Sequence, residues 1–150
     1  MPLNDAWSGV SVLVTGGAGF IGSHLVDNLI LSGAKVWVID NLDTGESTNL
    51  SKHKLIQWNG SETVSNQDEL IFVHGSIEDS NLLQEVIPHV DFIFHLAAIA
   101  SVARCESNPV EADSVNLEAT LEIYSLAAKN GLKGMCFSSS AALYGDTTVM

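Results

Sequence analysis

The stretch of the chain richest in chemical possibility is Thr15-Gly16-Gly17-Ala18-Gly19-Phe20-Ile21-Gly22. Gly17, Gly19 and Gly22 match G-x-G-x-x-G, while Gly16, Gly19 and Gly22 match the related G-x-x-G-x-x-G. Both patterns meet the same physical need. One glycine makes a tight turn, one lets the backbone approach a pyrophosphate, and one lets a helix pack closely on a strand. The anion then meets free N–H groups at a helix N-terminus. Ser23 and His24 follow Gly22 where an ATP-type P-loop would carry lysine, which disfavours that alternative. Asp40 stands eighteen residues beyond Gly22, where an acid accepts hydrogen bonds from adenosine ribose hydroxyls. No arginine adjoins it in sequence to receive a 2′-phosphate, so the pattern points to NAD. A plain connecting turn and a capping aspartate are the simpler readings of the same residues.

Such a turn works only between a strand and a helix, and the flanking patterns supply both. Val10–Thr15 reads as a strand, and Phe20–Ser32 places Ile21, Leu25, Leu29 and Ile30 at helical spacing before Gly33 stops it. Lys35–Asp40 reads as a second strand, Ile71–His74 as a third and Asp91–Leu96 as a fourth. Asp79–Ile87 reads as a helix ended by Pro88. Pro109 suits the first turn of a long helix reaching Asn130, with Gly131 as its stop. Leu132–Phe137 begins a fifth strand that runs into Ser138-Ser139-Ser140. The alternation predicts an α/β fold: a Rossmann-type doubly wound parallel sheet, truncated after about five strands, forming one NAD-binding domain over residues 1–150. The stretch from Asn41 to about Leu70 is too long for an ordinary βα connection. It is either a small hairpin excursion or partly mobile, with a possible short strand at Leu55–Trp58.

Composition narrows the partners. Six basic against eighteen acidic residues give a net charge of −12, which argues against nucleic acid or an anionic membrane. No run approaches the ~18 apolar residues of a membrane span, and the N-terminus lacks the features of a signal peptide. Cys105 and Cys136 are the only cysteines, and Cys136 lies in an apolar run that predicts a small buried thiol. The pattern suits a reducing compartment, with the cytoplasm as the expected location. His53, His74 and His89 have no metal-ligand spacing, and no metal site is expected.

Taken in order, four motifs resemble the extended short-chain dehydrogenase/reductase family, in its NAD-dependent nucleotide-sugar epimerase/dehydratase branch. They are Thr15–His24, Asp40-Asn41-Leu42, His95-Leu96-Ala97-Ala98 and Phe137–Gly145, joined by Asn116 and Thr120 in an Asn-x-x-Gly-Thr-like element with Ala119 for the glycine. UDP-glucose 4-epimerase-like members are the most similar in flavour. The resemblance implies that Gly16, Gly19, Phe20, Ile21 and Gly22 line the pyrophosphate and that Asp40 and Asn41 hold the ribose. Leu96, Ala97 and Ala98 would wall the cofactor, and Asn116 would steady that wall. Ser76 and Ile77 would sit at the adenine, with Ser76 where the family usually has aspartate. Serine loses the charge-assisted hydrogen bond to the adenine amino group, which implies weaker cofactor binding. Ser140 would hydrogen-bond the reacting hydroxyl of a nucleotide sugar, although capping its own loop is the simpler role. Ser101 and Val102 would approach substrate, with helix capping the other reading of Ser101.

One departure is larger. The family's acid/base is the tyrosine of Tyr-x-x-x-Lys, but Tyr124 and Tyr144 are followed four residues on by Ala128 and Thr148. The implied parent removes hydride from a nucleotide-sugar carbon by way of NAD. These 150 residues are expected to be its cofactor-holding portion, inactive alone. The alternative is a short NAD-binding or subunit-pairing module. Self-association is expected through an open sheet edge at Leu132–Phe137. An S-adenosylmethionine-dependent methyltransferase would leave the later motifs as coincidence.

Overall fold

Short apolar runs, most of them bearing Val or Ile, form six strands in a computed structural model that describes residues 6–60 and 70–145. They are β1 (Ser11–Thr15), β2 (Lys35–Asp40), β3 (Leu55–Gln57), β4 (Leu70–His74), β5 (Phe92–His95) and β6 (Gly134–Phe137). All pair in parallel, in the order β3-β4-β2-β1-β5-β6. Five helical segments connect them: α1 (Phe20–Leu31), α2 (Ser80–Val86), α3 (Val102–Ser107), α4 (Pro109–Asp113) and α5 (Ala119–Lys129).

Strand alternation sends successive side chains to opposite faces, and here each face meets its own helical layer. Val12, Val14, Val36, Val38, Leu70 and Phe72 pack with Val26 and Leu29 of α1. Leu13, Trp37, Ile39, Ile71, Val73 and Ile93 pack with Leu83 and Val86 of α2 and Ala119, Ile123 and Ala127 of α5. Burial on both faces explains the near-continuous apolar runs. The chain starts in the middle of the sheet at β1, builds outward through β2, then crosses to β5 on the other side. The carboxyl ends of β1 and its neighbours therefore form the topological switch point where ligands bind in such sheets.

The helix ends follow local chemistry. Asp79 caps α2 by accepting from the N–H groups of Asn81 and Leu82, and Asn108 caps α4 by accepting from Glu111 N–H. At the start of the second face, Ser11 N–H donates to Asp91 Oδ2 at 2.9 Å and Lys133 pairs with the same carboxylate. That Ser11 hydrogen bond, with Lys133, holds the Asp91 carboxyl below the usual carboxylate range.

The structure departs from the sequence expectations at five places. The 41–60 stretch is not a hairpin: Ser47–Leu50 forms one 3₁₀ turn that buries Leu50 completely, and β3 runs parallel to β4. Residues 61–69 of that stretch lie outside the described residues. The helix from Pro109 is not uniform, because Ser114–Glu118 forms a π-helical turn between α4 and α5. Helix α3 had no sequence signal beyond Ser101, whose hydroxyl accepts from Arg104 N–H as a cap. In α1, Gly22, Val26 and Leu29 face the core while Ile21 is exposed. Cys136 is exposed rather than buried, because among the described residues β6 is an edge strand whose second half no layer covers. Among the described residues no helix is long and apolar enough to cross a membrane.

Candidate functional site

A cleft of about 1090 Å³ opens at the carboxyl ends of the strands, and it is lined by the expected cofactor residues, by Ser140 and by Val102, but not by Ser101, which caps α3. The glycine turn forms its floor. Gly16 has φ +69°, and a Cβ there would lie 2.9 Å from Ala97 N, so the turn presses directly on the β5 extension. A Cβ on Gly22 would lie 2.2 Å from the Gly16 carbonyl oxygen, which no side chain permits. Helix α1 therefore begins hard against the turn. Its N-cap is Gly19, which has no side chain to accept from the first-turn N–H groups, and that turn carries no acid. The N-terminus keeps its partial positive charge for an anion.

The backbone of Ala18 ties this floor to the loop after β2. Ala18 N–H donates to Asp40 Oδ2 at 2.9 Å, and Ala18 carbonyl accepts from Glu46 N–H and Asn49 Nδ2. Asp40 Oδ1 accepts from Leu42 N–H at 2.8 Å, steadying a residue whose φ is 60°. Asp40 is 7% exposed and its edge, with Asn41, Asp43, Thr44 and Gly45, lines the cleft. Each carboxylate oxygen has lone-pair capacity beyond its one backbone bond. Ser76 and Ile77 line the far end. The Ser76 hydroxyl donates to Glu78 Oε2 and accepts from Glu78 N–H, while Ser114 holds Glu78 Oε1 at 2.8 Å. Glu78 thus brings a carboxylate to the end where Ser76 lacks one. Sequence reasoning missed it, because the family position lies two residues earlier.

The opposite wall is Leu96, Ala97 and Ala98, continuing from β5. Asn116 on the π turn clasps its next residue, accepting from Ile99 N–H at 2.8 Å and donating to Ile99 carbonyl at 3.1 Å. Beneath the wall runs a relay whose proton order the geometry dictates. Thr120 hydroxyl donates to Asn116 carbonyl at 2.9 Å, so it accepts from His95 Nε2–H at 2.9 Å. His95 Nδ1 then accepts from the Thr15 hydroxyl at 2.7 Å, and Thr15 Oγ1 accepts from the N–H groups of Leu96 and Ala97. Desolvation by burial pushes the His95 pKa down, which keeps the imidazole neutral as this order requires. Ser140 lies at the rim with Ser138, Ser139 and Phe137, just past β6.

The structure also brings in Arg104, which is distant from Asp40 in sequence. Its guanidinium pairs with Asp43 and, at 2.5 Å, with Glu111. Two carboxylates thus occupy it beside the ribose loop, and the hydrogen bonds from Arg104 hold the Glu111 carboxyl below its ordinary range.

Residues 12–150 match a family model described as the NAD dependent epimerase/dehydratase family. The chain belongs to that family. UDP-glucuronic acid decarboxylase 2 of Arabidopsis thaliana is 36% identical over 146 residues, spanning 97% of this chain but 29% of that protein. The UDP-N-acetylglucosamine 4-epimerase of Methanobrevibacter ruminantium, solved with UDP-N-acetylmuramic acid, superimposes with a TM-score of 0.79 at 36% identity, covering 95% of this chain and 42% of that one. The UDP-glucose 4-epimerase of Thermus thermophilus, solved with NAD, gives 0.70 at 32% identity, covering 87% and 37%. The chain therefore spans well under half the length of these relatives. The cradle of this NAD-dependent epimerase/dehydratase family chain fits a dinucleotide on its own geometry. Side chains are excluded at Gly16 and Gly22, the α1 N-terminus is uncapped, and a buried carboxylate stands one loop away.

The relay carries a pH prediction. His95 binds a proton less readily folded than unfolded, so stability is full above the unfolded value near 6.5 and falls as pH drops through that value. Thermal denaturation between pH 7 and 5, above the range where Asp91 titrates, should show the midpoint falling with acidity. His95→Gln should flatten that slope and cost about 1–3 kcal/mol at neutral pH, since Gln cannot span both threonines. An unchanged slope in the variant would remove His95 from this role.

Proposed function

We propose that this chain is the NAD-holding portion of an enzyme that modifies a nucleotide sugar, with a UDP-sugar as the favoured class. The observation that carries the reading is the N-terminus of α1, whose Gly19 cap has no side chain to occupy it, lining one cleft with Asp40 and Ser140. The N–H groups of Phe20, Ile21 and Gly22 would receive the pyrophosphate. Asp40 and Asn41 would take the adenosine ribose, and Ser76, Ile77 and Glu78 would meet the adenine. Leu96, Ala97 and Ala98, backed by the His95 relay, would keep water from one side of the ring system. When bound, NAD supplies a hydride acceptor and donor for a sugar carbon. Ser140 would orient the reacting hydroxyl. The similar proteins bearing epimerase and decarboxylase names share a UDP-sugar in those names, which supports the substrate class and leaves the reaction type open. Two unpaired cysteines suit the cytoplasm as the compartment.

Asp40 sets the cofactor preference. A 2′-phosphate would bring negative charge beside Asp40, with Asp43 and Glu46 in the same loop, and Arg104 is already engaged. Isothermal titration should show NAD binding and much weaker NADP binding. Asp40→Asn, which removes the charge and sets an amide NH2 against the N–H of Ala18 or Leu42, should weaken NAD by roughly tenfold or more, given about 1.5–3 kcal/mol for a charged hydrogen bond. Equal affinities for NAD and NADP in the unaltered chain would contradict the assignment.

A second reading, a subunit-pairing module, draws on the apolar face formed by Val110, Leu117, Leu121 and Tyr124, each at least half exposed. These positions lie on the outer side of α4, the π turn and α5, and among the described residues β6 is the outermost strand on that side of the sheet. Exposed apolar surface beside an unpaired strand favours association. Sedimentation at rising concentration should reveal a dimer, whereas a monomer throughout would leave only the first reading.

The polypeptide of these 150 residues should bind NAD without turning over substrate. Ser140 can position a hydroxyl, but removing its proton requires a tuned acid/base within hydrogen-bond reach, worth typically 10²–10⁴-fold. Neither tyrosine has a lysine four residues on. Incubation with NAD and UDP-sugars should yield no epimerised, keto or decarboxylated product by mass spectrometry. Robust turnover would show that another base serves here.

A further inference from the structure

Strands β2 and β5 flank β1, and the glycine turn leaves the carboxyl end of β1. The Arg104–Asp43 pair joins the loop after β2 to helix α3 after β5. Both residues line the cleft, and they come from segments on either side of the turn that presents the α1 N-terminus. Glu111, at the start of the next helix, holds Arg104 Nη2 at 2.5 Å while Nη1 pairs with Asp43. Arg104 is the only lysine or arginine among the described residues lining the cleft, whereas Asp40, Asp43, Glu78, Glu106 and Glu111 all line it. A cation placed to attract a pyrophosphate would be left open to it. This one is consumed by two carboxylates of its own chain.

We propose that Arg104 and Asp43 form a strap across the dinucleotide cleft, which must part for the ligand to enter or leave and which closes over it once seated. The proposal rests on the dinucleotide reading of the site. The side chains of Arg104, Asp43 and Glu111 are 37%, 48% and 35% exposed. Partly exposed pairs are weak individually, and opening one is a small step that thermal motion achieves readily. A strap of this kind sets exchange rates more than affinity, because it hinders passage in both directions.

The test is stopped-flow NADH fluorescence on the full chain, comparing Arg104→Gln, Asp43→Asn and the double variant. Both single variants should raise association and dissociation rates together, by about fivefold, with a smaller change in Kd. The double variant should match Arg104→Gln, in which the bond to Asp43 is already lost along with that to Glu111. Backbone-amide exchange without ligand should also quicken in residues 41–46 and 102–107 of both variants, at an unchanged melting midpoint. Unaltered release rates in both would overturn the strap. Slower association in Arg104→Gln alone would overturn it too, by showing that Arg104 attracts the anion. Failure of the unaltered chain to bind NADH would sink the dinucleotide reading and the strap with it, a result distinct from normal binding with unaltered release.

Discussion

Everything at the ligand end of this molecule depends on how closely the first turn of α1 approaches the turn that precedes it. A Cβ on Gly22 would sit 2.2 Å from Gly16 carbonyl oxygen and 2.7 Å from Gly17 Cα. Only hydrogen at that position lets the helix start where it does. From that contact follow the direction of the helix axis, the exposure of its N-terminal N–H groups and the placement of Ala18. Ala18 in turn offers both its backbone groups to the β2 loop, through Asp40 on one side and Glu46 and Asn49 on the other. The ribose loop is thus suspended from the glycine turn. A disturbance at the turn would reach Asp40 without touching the sheet.

The parts legible in the sequence are those encoded by neighbours in sequence. The limits of strand β2 are legible because the apolar run Val36–Ile39 is bounded by Gly33-Ala34 on one side and by Asp40-Asn41 on the other. The glycine turn and the serine run after β6 announce their own geometry, and the cleft gathers both. What escaped reading depends on pairs distant along the chain. Cys136 looked buried because its run is apolar, and only the sheet order reveals that β6 lies at an edge. Arg104 and Glu78 carry no motif, and their places are set by where α3 and the β4 loop come to rest. The isoleucine at position 21 satisfied a helical period yet faces the cleft, since the core stripe of α1 is centred on Gly22, Val26 and Leu29.

The electrostatic character of the site is unusual for one that would receive a diphosphate. The chain carries a net charge of −12, acids line the cleft, and its one described cation is neutralised locally. Attraction for an anion therefore falls to backbone N–H groups and the helix dipole, which act at short range and carry no net charge. The buried His95 belongs to the same economy of neutral donors. Its imidazole serves as a spacer with one donor and one acceptor, linking Thr15 on β1 to Thr120 on α5. The wall against which a ligand would lie is therefore braced from behind by uncharged groups.

The π-helical turn at Ser114–Glu118 has a consequence for how this helix tolerates changes in length. Ala119 N–H reaches back five residues to Ser114 carbonyl, so the segment holds one residue more than a regular helix would need. That surplus lets Asn116 face the cleft while Ile123 and Ala127 keep to the core. Removing one residue there would return the helix to regular spacing with its two halves still in phase, because the bulge absorbs its extra residue locally. The packing of α5 would survive the deletion, and what would go is the local distortion that carries Asn116 to Ile99. The surplus residue therefore serves the cleft wall and not the core.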